Sequence, residues 1–193
     1  GKSTLLEALA LLVGFGSQGG TKNVRLEEAS HLSGLHHYLK VKRGNEFPRD
    51  GYFLRAESFY NVATYMDEVG YLKGYGNRSL HQQSHGESFM ATLVHKFRGR
   101  GLYLLDEPEA ALSPSRQLAA LVRINDLTPT SQFVIATHSP ILLSFPAAKI
   151  ISFDQNGLRE VPYEETEHYS ITRDFLQNYK RRLEQLFEPG ETG

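Results

Sequence analysis

Three short apolar runs constrain the fold more than anything else in this chain, because each stops abruptly at polar residues. They are "GYFLRAESF" (51–59), "GLYLLDEPE" (101–109) and "QFVIATHSP" (132–140). Runs this short, separated by stretches with helical spacing, are the pattern of parallel strands buried on both faces and connected by helices, an α/β layered core. "AKIISFD" (148–154) reads as a further run of the same kind, and "DQNG" turns it into "LREVPYEE", an antiparallel extension. Helical spacing is carried by Leu5, Leu6, Leu9, Leu12 and Val13 until Gly14, by residues 60–69, by Phe89, Leu93, Val94 and Phe97, and by Ile171, Phe175, Tyr179, Leu183 and Leu186. The last of these predicts an amphipathic helix with the basic "KRR" of 180–182 on its wet side. Residues 17–50 are rich in Gly, Ser, Asn and charge and read as loops at the rim, and "GYLKGYGNRS" (70–79) reads as a glycine-rich connector.

Composition fits one globular domain over residues 1–193, since 40% hydrophobic residues can bury a substantial core. With 21 basic and 22 acidic side chains there is no global field to recruit nucleic acid or an anionic membrane, and "KVKR" (40–43) reads as an ordinary solvated face. The absence of cysteine excludes a disulfide framework, a thiolate metal site and a cysteine nucleophile, and fits a cytoplasmic setting. No apolar stretch is long enough to span a membrane.

In open α/β sheets ligands collect at the carboxyl ends of the strands, so the polar residues that stop the apolar runs are where chemistry is expected. Those residues are Glu57, the pair Asp106 and Glu107, and His138. The opening "GKST" corresponds to the end of a G-x-x-x-x-G-K-[ST] phosphate loop, which predicts a chain lacking the preceding strand and most of that loop. With Gly1 as the surviving loop glycine, Lys2 faces the β- and γ-phosphates of ATP, the Ser3 hydroxyl binds Mg²⁺, and Thr4 with the free helix amides holds α- and β-phosphate oxygens. Asp106 then orients the water shell of the same Mg²⁺. Glu107 polarises an attacking water, and His138 hydrogen-bonds the γ-phosphate. Each has a structural alternative: an Asp-Glu pair after a strand serves as a helix cap, and a strand-end histidine as an ordinary loop residue.

Taken in order, "GKST", "LYLLDEPEAALSP" and "ATHSP" resemble the ATP-binding-cassette type of P-loop ATPase. The resemblance is to its soluble AAA-labelled group, near the SMC, RecF and OLD proteins. The resemblance implies a mostly parallel sheet flanked by helices with a small helical and irregular lobe. It implies Mg-dependent ATP hydrolysis with Glu107 as base, too. In that class a signature motif precedes the second acidic motif by one helix, and "QQSHGES" supplies it through Ser84, Gly86 and Glu87, with Gln83, His85 and Glu87 departing from the common pattern. The motif implies that Ser84, Gly86 and Glu87 cap a nucleotide held by a second copy, giving a homodimer that sandwiches ATP. Ser113 in "EAALSP" corresponds either to the loop across that seam or to a helix-capping serine before Pro114. An effector such as a nuclease, or DNA, is the implied partner; a non-hydrolysing binding module and a DNA-stimulated repair ATPase are the alternative readings. An ion pair from Arg55 is the competing role for Glu57. His31, His36 and His37 lack a carboxylate at ligand spacing and read as scattered surface histidines.

Overall fold

A computed structural model describes residues 1–24, 33–42, 44, 47–68, 70, 83–155 and 157–188. It falls into two compact units, Gly1–Thr137 and His138–Gly193. The first unit carries α1 (Lys2–Val13), β1 (Asp50–Arg55), α2 (Phe59–Glu68), α3 (His85–Lys96), β2 (Gly101–Asp106), α4 (Pro114–Leu127) and β3 (Gln132–Ala136). Its three strands form one parallel sheet in the order β1-β2-β3.

Side chains alternate across a strand with period two, and the sequence uses both faces. Tyr52, Leu54, Tyr103 and Leu105 point to one side and pack with Phe59, Met66, Phe89 and Leu93 of α2 and α3, together with Ala120 of α4. Phe53, Leu104 and Ala136 point to the other and meet Leu6 and Ala10 of α1 and Phe15. The expected helix at the amino end therefore covers one face of the sheet alone. It stops where expected, with Gly14 in the left-handed region at φ 94° and its N–H bonded to the carbonyls of Ala10 and Leu11.

Three features differ from the sequence expectation. Residues 17–24 are not rim: Gly20 pairs with Phe53 along the outer edge of β1, and Ser17 and Val24 are buried. The run at 148–154 does not join the parallel sheet. It supplies β4 (Ile151–Asp154), which pairs antiparallel with β5 (Gly157–Glu160), the extension being antiparallel as expected. In the second unit α5 (Pro140–Leu143) and α6 (Glu167–Phe187) form, but the apolar stripe of α6 is solvent-facing at Ile171, Phe175, Tyr179 and Leu186. Periodicity sets which side chains share a face; it does not supply a surface to cover them. Residues 71–79 of the glycine-rich connector, and His31, lie outside the described residues.

Candidate functional site

Strand register builds the carboxyl edge of the sheet. Arg55, Asp106 and Ala136 are Cα partners across β1, β2 and β3, so the last residues of the three strands stand abreast. The N-terminus of α1 lies at the same place: the Ser3 hydroxyl is near enough to the Asp106 carboxylate to lower its pKa. Gly1 occupies the N-cap of α1 without a side-chain cap, Lys2 is its first helical residue and Thr4 lies in its first turn.

Asp106 is buried, and its environment is unusual for a carboxylate. Burial raises its pKa, against which the Ser3 hydroxyl and the Arg55 guanidinium act in the opposite direction, while Glu107 adds to the rise. Oδ2 lies 3.3 Å from Arg55 Nε, and Oδ1 has no hydrogen-bond partner. An orphaned carboxylate oxygen in a buried site costs free energy unless something binds there.

Arg55 is the hub of this edge. Its Nη1 donates to Glu7 Oε2 at 2.8 Å and to the Ser17 carbonyl at 3.0 Å, and its Nη2 lies 3.6 Å from Glu57 Oε2. Glu7 follows Ser3 by one helical turn and is buried, so both side chains leave α1 on the same face. Glu57 is almost fully exposed, and its observed partner is Arg55.

Glu107 follows directly and is held differently. Its N–H donates to the Ala136 carbonyl at 2.9 Å, extending the ladder by one residue, and its backbone then enters the left-handed region at φ 49°, ψ 51°. A non-glycine residue adopts that conformation at a cost of order 1 kcal/mol, and such outliers cluster at functional sites. The turn leads into a short 3-10 segment at 108–110 and leaves the Glu107 side chain exposed. Beneath it, Thr137 Oγ1 donates to Glu109 Oε2 at 2.7 Å.

The residues of "SHGE" start α3. Ser84 is the N-cap, and Glu87 Oε2 accepts the Ser84 N–H at 3.0 Å in a capping box. That backbone bond, followed by the Ser84 hydroxyl, holds the Glu87 carboxyl below its usual range, with Arg116 acting in the same direction. Arg116 of α4 reaches Glu87 Oε1 at 3.3 Å. Gly86 is buried between them, where a Cβ would stand 2.9 Å from the Ala111 carbonyl and collide with the Arg116 guanidinium. Only glycine allows this approach, which gives "SHGE" a local packing requirement whatever else it does. Ser113 takes the N-cap position of α4 with Pro114 as the first helical residue, and its hydroxyl pairs with Ser115 at 3.1 Å.

His138 opens the second unit. Its Nδ1 lies 2.7 Å from His168 Nε2 of α6, and the two rings are tilted at a centroid distance of 4.8 Å. His36 and His37 stack on each other at 4.0 Å. Among the described residues no group of three or more His, Asp or Glu forms a metal cluster.

Sequence reading missed Glu7, Arg116 and His168 and gave Arg55 only a pairing role. For Glu7 the signal was present, a carboxylate one turn after Ser3 on an otherwise apolar helix. Arg55 owes its place to register and Arg116 and His168 to tertiary packing, none of which has a sequence signature.

The parallel α/β sheet flanked by helices is consistent with a P-loop NTPase fold. Residues 50–144 match the family model described as "AAA domain, putative AbiEii toxin, Type IV TA system". The matched segment contains β1, α2, α3, β2, α4 and β3, with Arg55, Ser84, Asp106 and Glu107 among its residues, and is similar to a P-loop ATPase domain that binds nucleotide. No solved structure matches the chain. No helix among the described residues is long and apolar enough to cross a membrane.

Proposed function

We propose that the protein is a Mg-dependent ATPase in which ATP binding closes a homodimer and hydrolysis reopens it. The observation that supports the reading is the Ser3 hydroxyl beside the Asp106 carboxylate, whose Oδ1 has no hydrogen-bond partner. A hydroxyl and one carboxylate are the few protein ligands that Mg²⁺ takes while keeping most of its waters. Ser3 and Asp106 would hold the ion, which neutralises charge on the β- and γ-phosphate oxygens when bound.

The chain's own groups then divide the work. Lys2 and the uncapped amides of α1 counter phosphate charge. Arg55, with Nε 3.3 Å from Asp106 Oδ2, would hold the Asp106 carboxylate in place. Glu107, held by a constrained backbone and reaching solvent, takes the proton from the attacking water. His138 contacts the γ-phosphate in this reading, with His168 setting its tautomer and orientation. Ser84, Gly86 and Glu87 serve the nucleotide of the second copy, an assignment favoured by the exposure of Ser84 and Glu87 at a helix start. The tests use a version of the protein that carries a complete G-x-x-x-x-G-K-S sequence.

Glu107→Gln tests the reading in that complete-loop version. Loss of a general base lowers turnover by about 10²- to 10⁴-fold. Light scattering should show a stable dimer of Glu107→Gln with Mg-ATP and a monomer without it. Unchanged turnover would remove Glu107 from catalysis, and a monomer under both conditions would remove the dimer. ATP binding without turnover in the parent as well would leave a nucleotide-dependent binding module.

A further inference from the structure

The opposite end of the same sheet carries a cleft that nucleotide hydrolysis does not use. It has a volume of about 990 Å³ and is floored by the first residues of β2 and β3. β2 is six residues long, so its two ends are separated by roughly 17 Å at about 3.3 Å per residue. Four cations line the cleft, Lys22, Lys42, Arg49 and Arg100, and no acidic side chain lines it among the described residues. All four are solvent-exposed, and none forms an ion pair among the described residues. The nearest carboxylate in sequence, Asp50, is committed elsewhere: its Oδ2 accepts from the Tyr103 hydroxyl at 2.7 Å and from the Arg98 N–H at 3.1 Å.

Two further groups shape what this field would attract. Phe47 lines the cleft with its ring 70% exposed, an unfavourable placement for an apolar side chain unless it meets a partner. Ser131 Oγ accepts the Gly101 N–H at 3.3 Å, so its own O–H is oriented as a donor. Cations that track a phosphate backbone next to an exposed aromatic face are what unpaired nucleic acid requires, since each base offers a π-face and each linkage one negative charge. A duplex hides its base faces and gives Phe47 nothing to stack on.

We infer that the cleft at the amino ends of β2 and β3 binds single-stranded nucleic acid. Lys22, Lys42, Arg49 and Arg100 contact the phosphates, and Phe47 stacks on a base. The near-neutral charge of the whole chain is compatible with this, because the four cations are gathered at one place and no acid lines it among the described residues. Lys42 belongs to "KVKR", so in this reading that stretch is part of a binding surface rather than an idle solvated face. The inference concerns binding without ATP and stands or falls independently of hydrolysis at the other end.

The test is fluorescence anisotropy of a labelled oligo(dT) of about 20 nucleotides with the full chain and no nucleotide. With four phosphates neutralised, affinity should fall about fifty-fold between about 50 and 200 mM salt, and only about sevenfold in the double variant Lys42→Gln, Arg49→Gln. Phe47→Ala should weaken oligo(dT) binding about tenfold. The same substitution should leave inorganic polyphosphate binding unchanged, and a duplex of equal length should bind less well than the single strand. Every substituted side chain is exposed, so thermal unfolding should match the parent, and the parent's own salt dependence needs no variant. Absence of saturable binding, or binding indifferent to the Lys42 and Arg49 changes, would overturn the site. Equal binding of oligo(dT) and polyphosphate with Phe47→Ala silent would reduce it to an anion trap, and tighter duplex binding would overturn the single-strand assignment.

Discussion

The two ends of β2 solve opposite electrostatic problems. At the carboxyl end, Arg55 is nearly buried and shared among Glu7, Asp106 and Glu57, so acids outnumber the base that serves them. At the amino end, Lys22, Lys42, Arg49 and Arg100 stand in solvent, and no acid lines the cleft among the described residues. Buried charges must be paired or they unfold the chain, whereas exposed charges can stay unpaired at little cost until a ligand arrives. The carboxyl end is therefore a place where structure and function use the same groups. At the amino end the cations are dispensable for folding. Substitutions should separate the two.

The largest effect expected is that of Arg55→Met. It leaves Glu7 and Asp106 buried without their shared cation, which costs roughly 3–5 kcal/mol of stability. Without the guanidinium the Asp106 carboxyl protonates more readily, so the loss should shrink as pH is lowered from about 7 to 5 in urea titrations. A loss below about 1 kcal/mol would mean the carboxyl end is no more coupled to folding than the amino end.

A smaller effect of opposite sign is expected from a charge behind the amino end. Lys96, at the last turn of α3, is buried, and its pKa is lowered to about 8, first by burial and then by Arg98, with Asp50 acting against both. Between about pH 8 and 10.5 the unfolded chain then binds more protons at this site than the folded one, so stability rises with pH across that window. Lys96→Met should remove the rise and stabilise the protein at pH 7 by up to ~3 kcal/mol. Tyr103 acts the other way at higher pH, since burial and its bond to Asp50 raise its pKa and favour the folded state's neutral form only until the unfolded tyrosine ionises. Melts between pH 7.5 and 9.5 therefore isolate Lys96. An unaltered slope in Lys96→Met would contradict its burial as a charge.

The sheet was legible in the sequence because its strands are short apolar runs closed by polar residues, and burial on both faces leaves no other use for them. Ser3 and Asp106 were singled out for a related reason: a loop motif and a strand-end acid are each expected at the same sheet edge. Arg55 was not legible as a hub because its partners lie 48 residues before it, in Glu7 of α1, and on β2. The inward course of residues 17–24 was hidden by glycine and serine, which resemble loop composition but here let the chain pair with Phe53. In α6 and β4 the apolar pattern was read correctly as helix and strand, yet Ile171, Leu186, Ile151 and Phe153 remain exposed. A pattern identifies an element and its face, while the partner that covers the face is a tertiary matter.

The central claim, that Ser3 and Asp106 form one metal site with ATP, is tested most directly by electron paramagnetic resonance of Mn²⁺, an ion with the same oxygen preference as Mg²⁺. Titrations are made with ATP in the complete-loop version, in the parent and in Ser3→Ala and Asp106→Asn. The account predicts protein-bound Mn²⁺·ATP in the parent and its loss in both variants, with Asp106→Asn folding at least as stably as the parent because a desolvated charge has been removed. Equal Mn²⁺ binding in all three proteins would contradict it.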